Sequence, residues 1–400
     1  MKKQLLFYNF IAILFITSNN IFLCCCDCNC LLYITYSHAE FKKEAIKNGF
    51  KCVYEENVEF KDQIYLHGKE YLVKEVETSI PMGIDEDDEW NDLNVYCLKI
   101  DNEIPCQILR KTKPSEQNNT NLVIFFHGNG ESAFRDQNTL LDKIVFEKGY
   151  DLLIPELPGY PGNNEGDFSE ETRLKYMEKI LEFCKTYYKG QRIVILGHSL
   201  GCYFATYLAS MDEKNAVFNK LIIVCPFLTD KTAAKYIGKT STSCCCVCCG
   251  ECLSECIVTP IYREKLSNEE NIKKVKCDID ILYAPNDKVI GPKDAESLFN
   301  IFKDQKDYNI KEDQDVLEKN GSSQKIRLRP IIPKKFTNEE KQNLDEAILK
   351  AVNLEMKEKK VENINELNSF FLGEERKVFN RNVGHSDVLL YDQIKYYILN

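Results

Sequence analysis

The sequence has little histidine, a single tryptophan and none of the patterns that mark nucleic-acid or nucleotide-binding proteins. Its 400 residues include only five histidines. We find no zinc-finger pattern, basic helix, Walker-type phosphate loop or internal repeat. The formal net charge of −10 further argues against a nucleic-acid partner. A hydrophobic content of 44% and a charged content of 28% are typical of a globular chain, which at this length forms one large α/β domain with insertions, or two domains.

The first 30 residues predict attachment to a membrane. Lys2 and Lys3 precede an uncharged stretch from Gln4 to Cys26, and this order is typical of a signal peptide or a signal anchor. The cysteines that end the stretch are candidates for reversible S-acylation: Cys24, Cys25, Cys26, Cys28 and Cys30. The lysines favour a lumenal enzyme, whereas S-acylation favours a cytosolic one, so the topology stays open. Secretion after signal cleavage is the alternative.

The chain has 19 cysteines, and seven of them cluster at 244–256. Four of the seven are spaced four, three and four residues apart, which places them on one face of a helix: Cys245, Cys249, Cys252 and Cys256. An S-acylated or interfacial helix fits this spacing. A zinc site, disulfides and inert thiols are the alternatives, and the lack of a nearby histidine argues against metal. Scattered cysteines such as Cys202, Cys225 and Cys277 are expected to be buried free thiols.

Residues 50–400 predict one α/β domain built on a mostly parallel sheet with helices on both faces. A β-hairpin over 95–110 comes first, and strands and helices alternate after it. Strands are expected at 121–126, 151–157, 192–196, 221–224, 279–283 and 377–380, and helices at 131–147, 169–187, 202–209, 294–302 and 386–399. Two segments interrupt the alternation. The first, 226–276, is expected to be a Cys-rich cap, and the second, 306–372, a charged helical insertion.

Gly197-His198-Ser199-Leu200-Gly201 is the most informative motif of the chain. It lies between a predicted strand and a predicted helix, where a G-x-S-x-G sequence forms a nucleophile elbow that exposes the serine hydroxyl. The N-terminus of the following helix would direct its N–H groups at a developing oxyanion. We therefore predict Ser199 as a catalytic nucleophile.

The partners of Ser199 are predicted from the ends of neighbouring strands. His127-Gly128-Asn129 follows one strand, and the N–H groups of Asn129 and Leu200 are expected to form the oxyanion hole. His127 itself is expected to be structural. Asp287, after the strand at 279–283, is the predicted acid, and Asp230 is the reserve candidate. His385 is the only histidine beyond the acid and is the predicted base.

These motifs resemble those of the α/β-hydrolase superfamily, most of all its serine-aminopeptidase-type and α/β-hydrolase-domain proteins, a group that includes monoacylglycerol lipases and acyl-protein depalmitoylases. The resemblance runs from about 94 to 397. It rests on the segments 126–130, 156–162 and 197–201, on Asp287 and on 384–385. The family's Gly-x-Ser-x-Gly continuation is replaced here at 162–166 by Gly-Asn-Asn-Glu-Gly, which would reshape one wall of the site. Some depalmitoylases carry an acylated N-terminal Cys cluster, which 24–30 resembles, and 226–276 falls where the family places a variable cap.

The resemblance and the motifs together predict a serine hydrolase that acts on an ester, thioester or amide through an acyl-enzyme. It would use no metal and no organic cofactor. Membrane attachment and the Cys-rich cap favour a lipid or another acylated small molecule as substrate. A serine aminopeptidase-like peptidase, a non-catalytic membrane scaffold and a metal or redox module at 244–256 are the alternatives.

Overall fold

The structure is a computed structural model. It describes residues 62–66, 69–76, 94–110, 120–129, 131, 133, 149–158, 160, 163, 169–212, 214, 217–241, 266–310 and 316–331. The described strands are β1 Asp62–Leu66, β2 Lys69–Val76, β3 Asn94–Ile100, β4 Ile104–Arg110, β5 Leu122–Phe126, β6 Asp151–Pro155, β7 Ile193–His198, β8 Lys220–Val224, β9 Asp278–Tyr283, β10 Tyr308–Ile310, β11 Val316–Lys319 and β12 Lys325–Pro330. The described helices are α1 Glu170–Tyr187, α2 Gly201–Ser210, α3 Asp230–Ser241, α4 Asn268–Ile272 and α5 Pro292–Lys303.

The described strands form one twelve-stranded sheet in the order β1-β2-β3-β4-β6-β5-β7-β8-β9-β12-β11-β10. Strands β6, β5, β7, β8, β9 and β12 are mutually parallel, and antiparallel strands flank them on both sides. The predicted mostly parallel sheet is confirmed. The order reverses between β5 and β7, and a parallel sheet binds ligands at the carboxyl ends of its strands beside such a switch point.

The parallel strands are apolar because both faces of the sheet are covered. Every residue of β5, β6, β7 and β8 is buried. Helix α2 is apolar almost all round, and nine of its ten residues are buried, so it packs as an interior helix directly after the 197–201 turn. Ser169 caps the N-terminus of helix α1: its side chain accepts a hydrogen bond from Thr172 N, and Glu170 and Glu171 lie in the first turn.

The segment 306–372 differs from the predicted charged helical insertion over its described part. Its described strands are β10, β11 and β12, and β12 lies parallel to β9 inside the sheet. Buried Ile326 and Leu328 alternate there with charged residues, which is the period of a strand. Arg327 Nη1 lies 2.9 Å from Asp280 Oδ1 on β9, so one of the charges of this segment makes a cross-strand ion pair.

Several predicted segments lie outside the described residues. These are residues 1–30, most of the predicted helix at 131–147, the cysteines of 244–256, and the strand and helix predicted at 377–380 and 386–399. Within the described residues, no helix is both long enough and apolar enough to cross a bilayer. The described parts of 226–276 contain α3 and α4.

Candidate active site

The turn between β7 and α2 holds Ser199 in a left-handed backbone conformation. The φ of Ser199 is 53°, a region that costs a residue with a side chain about 1–2 kcal/mol. Ser199 N donates a hydrogen bond to Val224 O (3.0 Å), and Cys202 N donates one to Ser199 O (3.0 Å). The Cys202 thiol donates to the carbonyl oxygens of Gly197 and Val224, each at 3.2 Å. The turn therefore has the geometry of a nucleophile elbow.

Both glycines of the elbow stand where no side chain fits. A Cβ on Gly197 would lie 2.6 Å from Gly201 O and 2.7 Å from Ala205 Cβ. A Cβ on Gly201 would lie 2.0 Å from Phe126 O, at the end of β5. The start of α2 thus packs main chain to main chain against the loop that follows β5. This contact brings Leu200 close to that loop.

The loop after β5, which we call the β5 loop (127–131), begins with a buried ion pair. His127 Nε2 lies 2.8 Å from Glu156 Oε1, and its Nδ1 lies 2.9 Å from Gly128 O. Because both partners are acceptors, both ring nitrogens must carry hydrogen. Burial lowers the pKa of His127, but the charge and hydrogen bond of Glu156 outweigh burial and raise it. These contacts favour the charged imidazolium, and they hold the His127 ring between Glu156 and Gly128 O, in keeping with the structural role expected from the sequence.

The rest of the β5 loop is also held by side chains. The Tyr160 hydroxyl donates to Asn129 Oδ1 (2.6 Å), and its ring packs edge-on against His127 with the centroids 5.2 Å apart. Glu156 Oε2 also accepts a hydrogen bond from Ala133 N (3.1 Å). Asn129 is exposed while its neighbours His127 and Gly128 are buried. Asn129 therefore lies at the surface, in a loop that the contacts of His127 and Tyr160 hold in place.

Glu131 connects the β5 loop to the elbow. Its Oε2 accepts a hydrogen bond from Gly128 N (2.8 Å), and its Oε1 lies 3.5 Å from His198 Nδ1. Burial would raise the pKa of Glu131, but its proximity to the His198 ring, followed by the charge of His127 and the hydrogen bond from Gly128 N, lowers it to about 2. The side chain of Glu131 is 33% exposed and that of His198 is 3% exposed. A carboxylate thus sits at the junction of the two turns.

Asp287 lies in the loop after β9, which we call the β9 loop (284–290). The residue is buried, and its Oδ1 accepts hydrogen bonds from Val289 N (2.7 Å) and Ile290 N (2.9 Å). The hydroxyl of Tyr236, on α3, donates to Asp287 O (2.8 Å). Cys225, directly after β8, also contacts this site: burial raises the pKa of its thiol, and the charge and hydrogen bond of Asp287 raise it further.

Asp230, the reserve acid, accepts hydrogen bonds from two main-chain N–H groups. Its Oδ1 accepts from Lys231 N (2.8 Å) and its Oδ2 from Leu266 N (3.2 Å). It therefore joins the start of α3 to the chain that leads into α4. Burial raises the pKa of this carboxyl group.

Four of the predicted site residues lie at the carboxyl edge of the sheet. Asn129 follows β5, Ser199 and Leu200 follow β7, and Asp287 follows β9, with β8 between the last two strands. His385 and Cys24, Cys25, Cys26, Cys28 and Cys30 lie outside the described residues. In the described ranges, no three His, Cys, Asp or Glu residues are grouped to hold a metal ion. Cys202, Cys225 and Cys277 are buried free thiols, as predicted.

Sequence reasoning missed the side chains that support these loops. Glu131 stands three residues after Gly128, a spacing at which a carboxylate reaches back to a main-chain N–H, and this spacing was the available signal. The pairing of Glu156 with His127 and of Tyr236 with the β9 loop depends on contacts distant in sequence. No local pattern indicates them.

The strand order of the sheet and the elbow after β7 together define the fold class. The chain has the α/β-hydrolase fold, and a family model described as "alpha/beta hydrolase fold" matches residues 121–238, from the start of β5 into α3. That range includes the β5 loop and the elbow.

Particular relatives are similar to part of this chain. The lysophosphatidylserine lipase ABHD12 of Xenopus tropicalis is 25% identical over 183 residues, 45% of this chain and 46% of that protein. The ABHD12 of Danio rerio is 23% identical over 196 residues, 49% of this chain and 50% of the relative. Each match thus spans half or less of the relative's length. Among solved structures, an acetyl xylan esterase from Paenibacillus sp. R4 aligns with a TM-score of 0.42 at 12% identity, covering 77% of this chain and 92% of that one.

Proposed function

We propose that this protein is a serine hydrolase that cleaves the acyl bond of a lipid, with Ser199 as nucleophile, His385 as base and Asp287 as acid. The observation that carries the proposal is the backbone of Ser199. A φ of 53° on a non-glycine residue costs free energy, and the chain keeps it between two glycines that admit no side chain. Such strain is typical of a turn that presents a reactive hydroxyl.

The reaction follows from these roles. His385 takes the hydroxyl proton as Ser199 Oγ bonds to the acyl carbon, and the N–H groups of Asn129 and Leu200 stabilise the resulting oxyanion. Collapse of the tetrahedral intermediate breaks the bond to the leaving group, which receives the proton from His385. Water then attacks the acyl-enzyme with His385 again as base, releasing the acid and restoring Ser199. Asp287 keeps the imidazole in the required tautomer.

A lipid substrate is supported by the names of the relatives. The ABHD12 proteins of Xenopus tropicalis and Danio rerio are lysophosphatidylserine lipases, and the similarity to each covers less than half of this chain. We expect hydrolysis of long-chain acyl esters, including a lysophospholipid with a serine headgroup, to exceed that of short-chain p-nitrophenyl esters and of aminoacyl amides. Faster cleavage of the amides would favour the peptidase alternative.

Ser199→Ala tests the nucleophile. The substitution removes the attacking oxygen, so covalent labelling by a fluorophosphonate should disappear and turnover should fall by about 10⁴ to 10⁶. Ser210→Ala is a matched control, because Ser210 is the last residue of α2, the helix that follows Ser199, and its hydroxyl donates to Tyr207 O (2.7 Å). That variant should label as the wild type does. Labelling of Ser199→Ala at the wild-type rate would overturn the assignment.

We also propose that residues 1–30 attach the protein to a membrane, through the uncharged stretch from Gln4 and the cysteines that end it. Deletion of residues 1–30 should release at least part of the protein from membranes and leave the hydrolase activity in place. A cap helix bearing Cys245, Cys249, Cys252 and Cys256 would retain the remainder, and changing these four to serine should complete the release. Full-length protein found wholly in the soluble fraction, with its N-terminus intact, would contradict attachment.

A further inference from the structure

We propose that Glu131 is a positioning residue that fixes the distance between the two loops carrying the oxyanion donors. The inference rests on the proposed function, and it assigns Glu131 a role in turnover without contact to the reacting atoms. Its basis is that the two carboxylate oxygens of Glu131 serve two different turns.

The first carboxylate oxygen organises the β5 loop. Oε2 accepts the hydrogen bond of Gly128 N at 2.8 Å, and Glu131 N returns a hydrogen bond to Gly128 O at 3.3 Å. These bonds close the loop around Asn129, which follows Gly128 directly. The orientation of the Asn129 N–H therefore depends on where Glu131 stands.

The second carboxylate oxygen meets the elbow. Oε1 lies 3.5 Å from Nδ1 of His198, which immediately precedes Ser199 and stands two residues before Leu200. Gly128 lies directly against the same ring, since a Cβ on Gly128 would be 3.0 Å from His198 Nδ1. Gly128 and Glu131 therefore both lie next to the His198 ring, and the ion-pair contact of the carboxylate at 3.5 Å links the β5 loop to the elbow.

The charge of Glu131 is constant over the working range of pH. Burial would raise its pKa, but His198 and its other partners lower it to about 2. A positioning role thus predicts a loss of turnover that is the same at every pH from about 6 to about 9. A role in proton transfer would instead change the shape of the pH profile.

Glu131→Gln is the test, because it keeps the shape of the side chain and removes its charge. We expect kcat to fall by roughly tenfold with KM unchanged, since a small displacement of an oxyanion donor weakens transition-state binding alone. Affinity for a trifluoromethyl ketone analogue should fall by a similar factor. Glu171→Gln is the matched control, because Glu171 is an exposed glutamate paired with Lys175 on α1, and it should behave as wild type.

Two further variants keep the test decisive. Glu131→Asp retains the charge but is one methylene shorter, so it cannot reach both turns and should also lose kcat. The single variant His198→Asn should also lower kcat. The kcat of the double variant with Glu131→Gln should be no lower than that of the more impaired single variant, because both substitutions act on the same contact. Folding is checked for each variant by its far-UV circular dichroism.

The outcomes separate this inference from the proposed function. An unchanged kcat in folded Glu131→Gln, a change confined to KM, or fully additive losses in the double variant would overturn the role of Glu131. Wild-type protein without Ser199-dependent turnover would overturn the proposed function instead.

Discussion

The glycine at position 201 offers the sharpest test of how the elbow is built. Gly201→Ala adds one methyl group, which would lie 2.0 Å from Phe126 O, 2.5 Å from Phe126 C and 2.6 Å from His127 O. Ordinary contacts of a Cβ begin at 3.4 Å, so the shortfall against the Phe126 carbonyl oxygen exceeds 1 Å. No flexible side chain can move aside there. The start of α2 and the β5 loop would have to separate.

Two opposed effects decide how far Gly201→Ala lowers the free energy of unfolding. Alanine in place of glycine within a helix normally stabilises a protein by about 0.5–1 kcal/mol. Overpacking of a rigid site costs about 1–3 kcal/mol and sometimes more, and here the clash lies at the upper end because main chain must move. We therefore expect Gly201→Ala to lower the free energy of unfolding by about 2 kcal/mol. Displacing Leu200 from Asn129 by about 1 Å should also reduce turnover by roughly 100-fold.

Urea unfolding and the rate of fluorophosphonate labelling measure the two effects separately. Gly190→Ala is the control, because Gly190 has a φ of 81° and no atom lies within 4 Å of the position that its added methyl group would take. Backbone strain alone should lower the free energy of unfolding of Gly190→Ala, by about 1–2 kcal/mol, and the variant should keep its activity. If Gly201→Ala is as stable and active as wild type, the close packing of α2 on the β5 loop is wrong.

Two further predictions concern carboxylates of the site. Asp287→Asn should lower kcat by a factor of about 10⁴ and leave the free energy of unfolding nearly unchanged. Asp230→Asn should keep its kcat and unfold at a lower urea concentration. The reverse pattern in the two measurements would assign the acid to Asp230. The raised pKa of His127 gives stability that is full below pH 6.5 and is lost as pH rises through that pKa. In Glu156→Gln the two largest causes that raise the pKa of His127 are lost, while burial, the hydrogen bond to Gly128 O and the charge of Glu131 remain, so the loss of stability with rising pH should be smaller. Urea unfolding at about pH 6 and about pH 8 checks the change of slope, and parallel slopes in the two proteins would contradict the ion pair.

The parallel half of the fold was predictable because its signals are local. Short apolar runs such as 122–126 and 193–196 are typical of strands buried on both faces, and the structure places strands there. The elbow was predictable for a similar reason, since its glycines and serine are contiguous. The position of Asp287 follows from its place directly after β9.

The edge of the sheet was not predictable from local pattern. Strand β12 is rich in lysine and arginine and lies within 306–372, the segment predicted as a charged helical insertion. Its stability as a strand comes from distant residues: Arg327 pairs with Asp280 on β9, and Gln324 Nε2 donates to Val275 O and Cys277 O. Only the fold brings these partners together. Strand β12, which pairs with β9, ends at Pro330, so residues 331–384 separate it from His385 in the sequence.

The buried charges of the β5 loop are better explained by positioning than by stability. Replacing a buried ion pair with apolar residues of similar volume is often neutral or stabilising, so the pair of His127 and Glu156 has no evident advantage for folding alone. Its effect is to fix the start of the loop, while Tyr160 fixes the side chain of Asn129 and Glu131 fixes Gly128. Donors that are oriented before the reaction need no reorganisation when charge develops, and such preorganisation is usually the largest electrostatic contribution to catalysis. A loop held by side chains from three separate positions is what the proposed oxyanion hole requires.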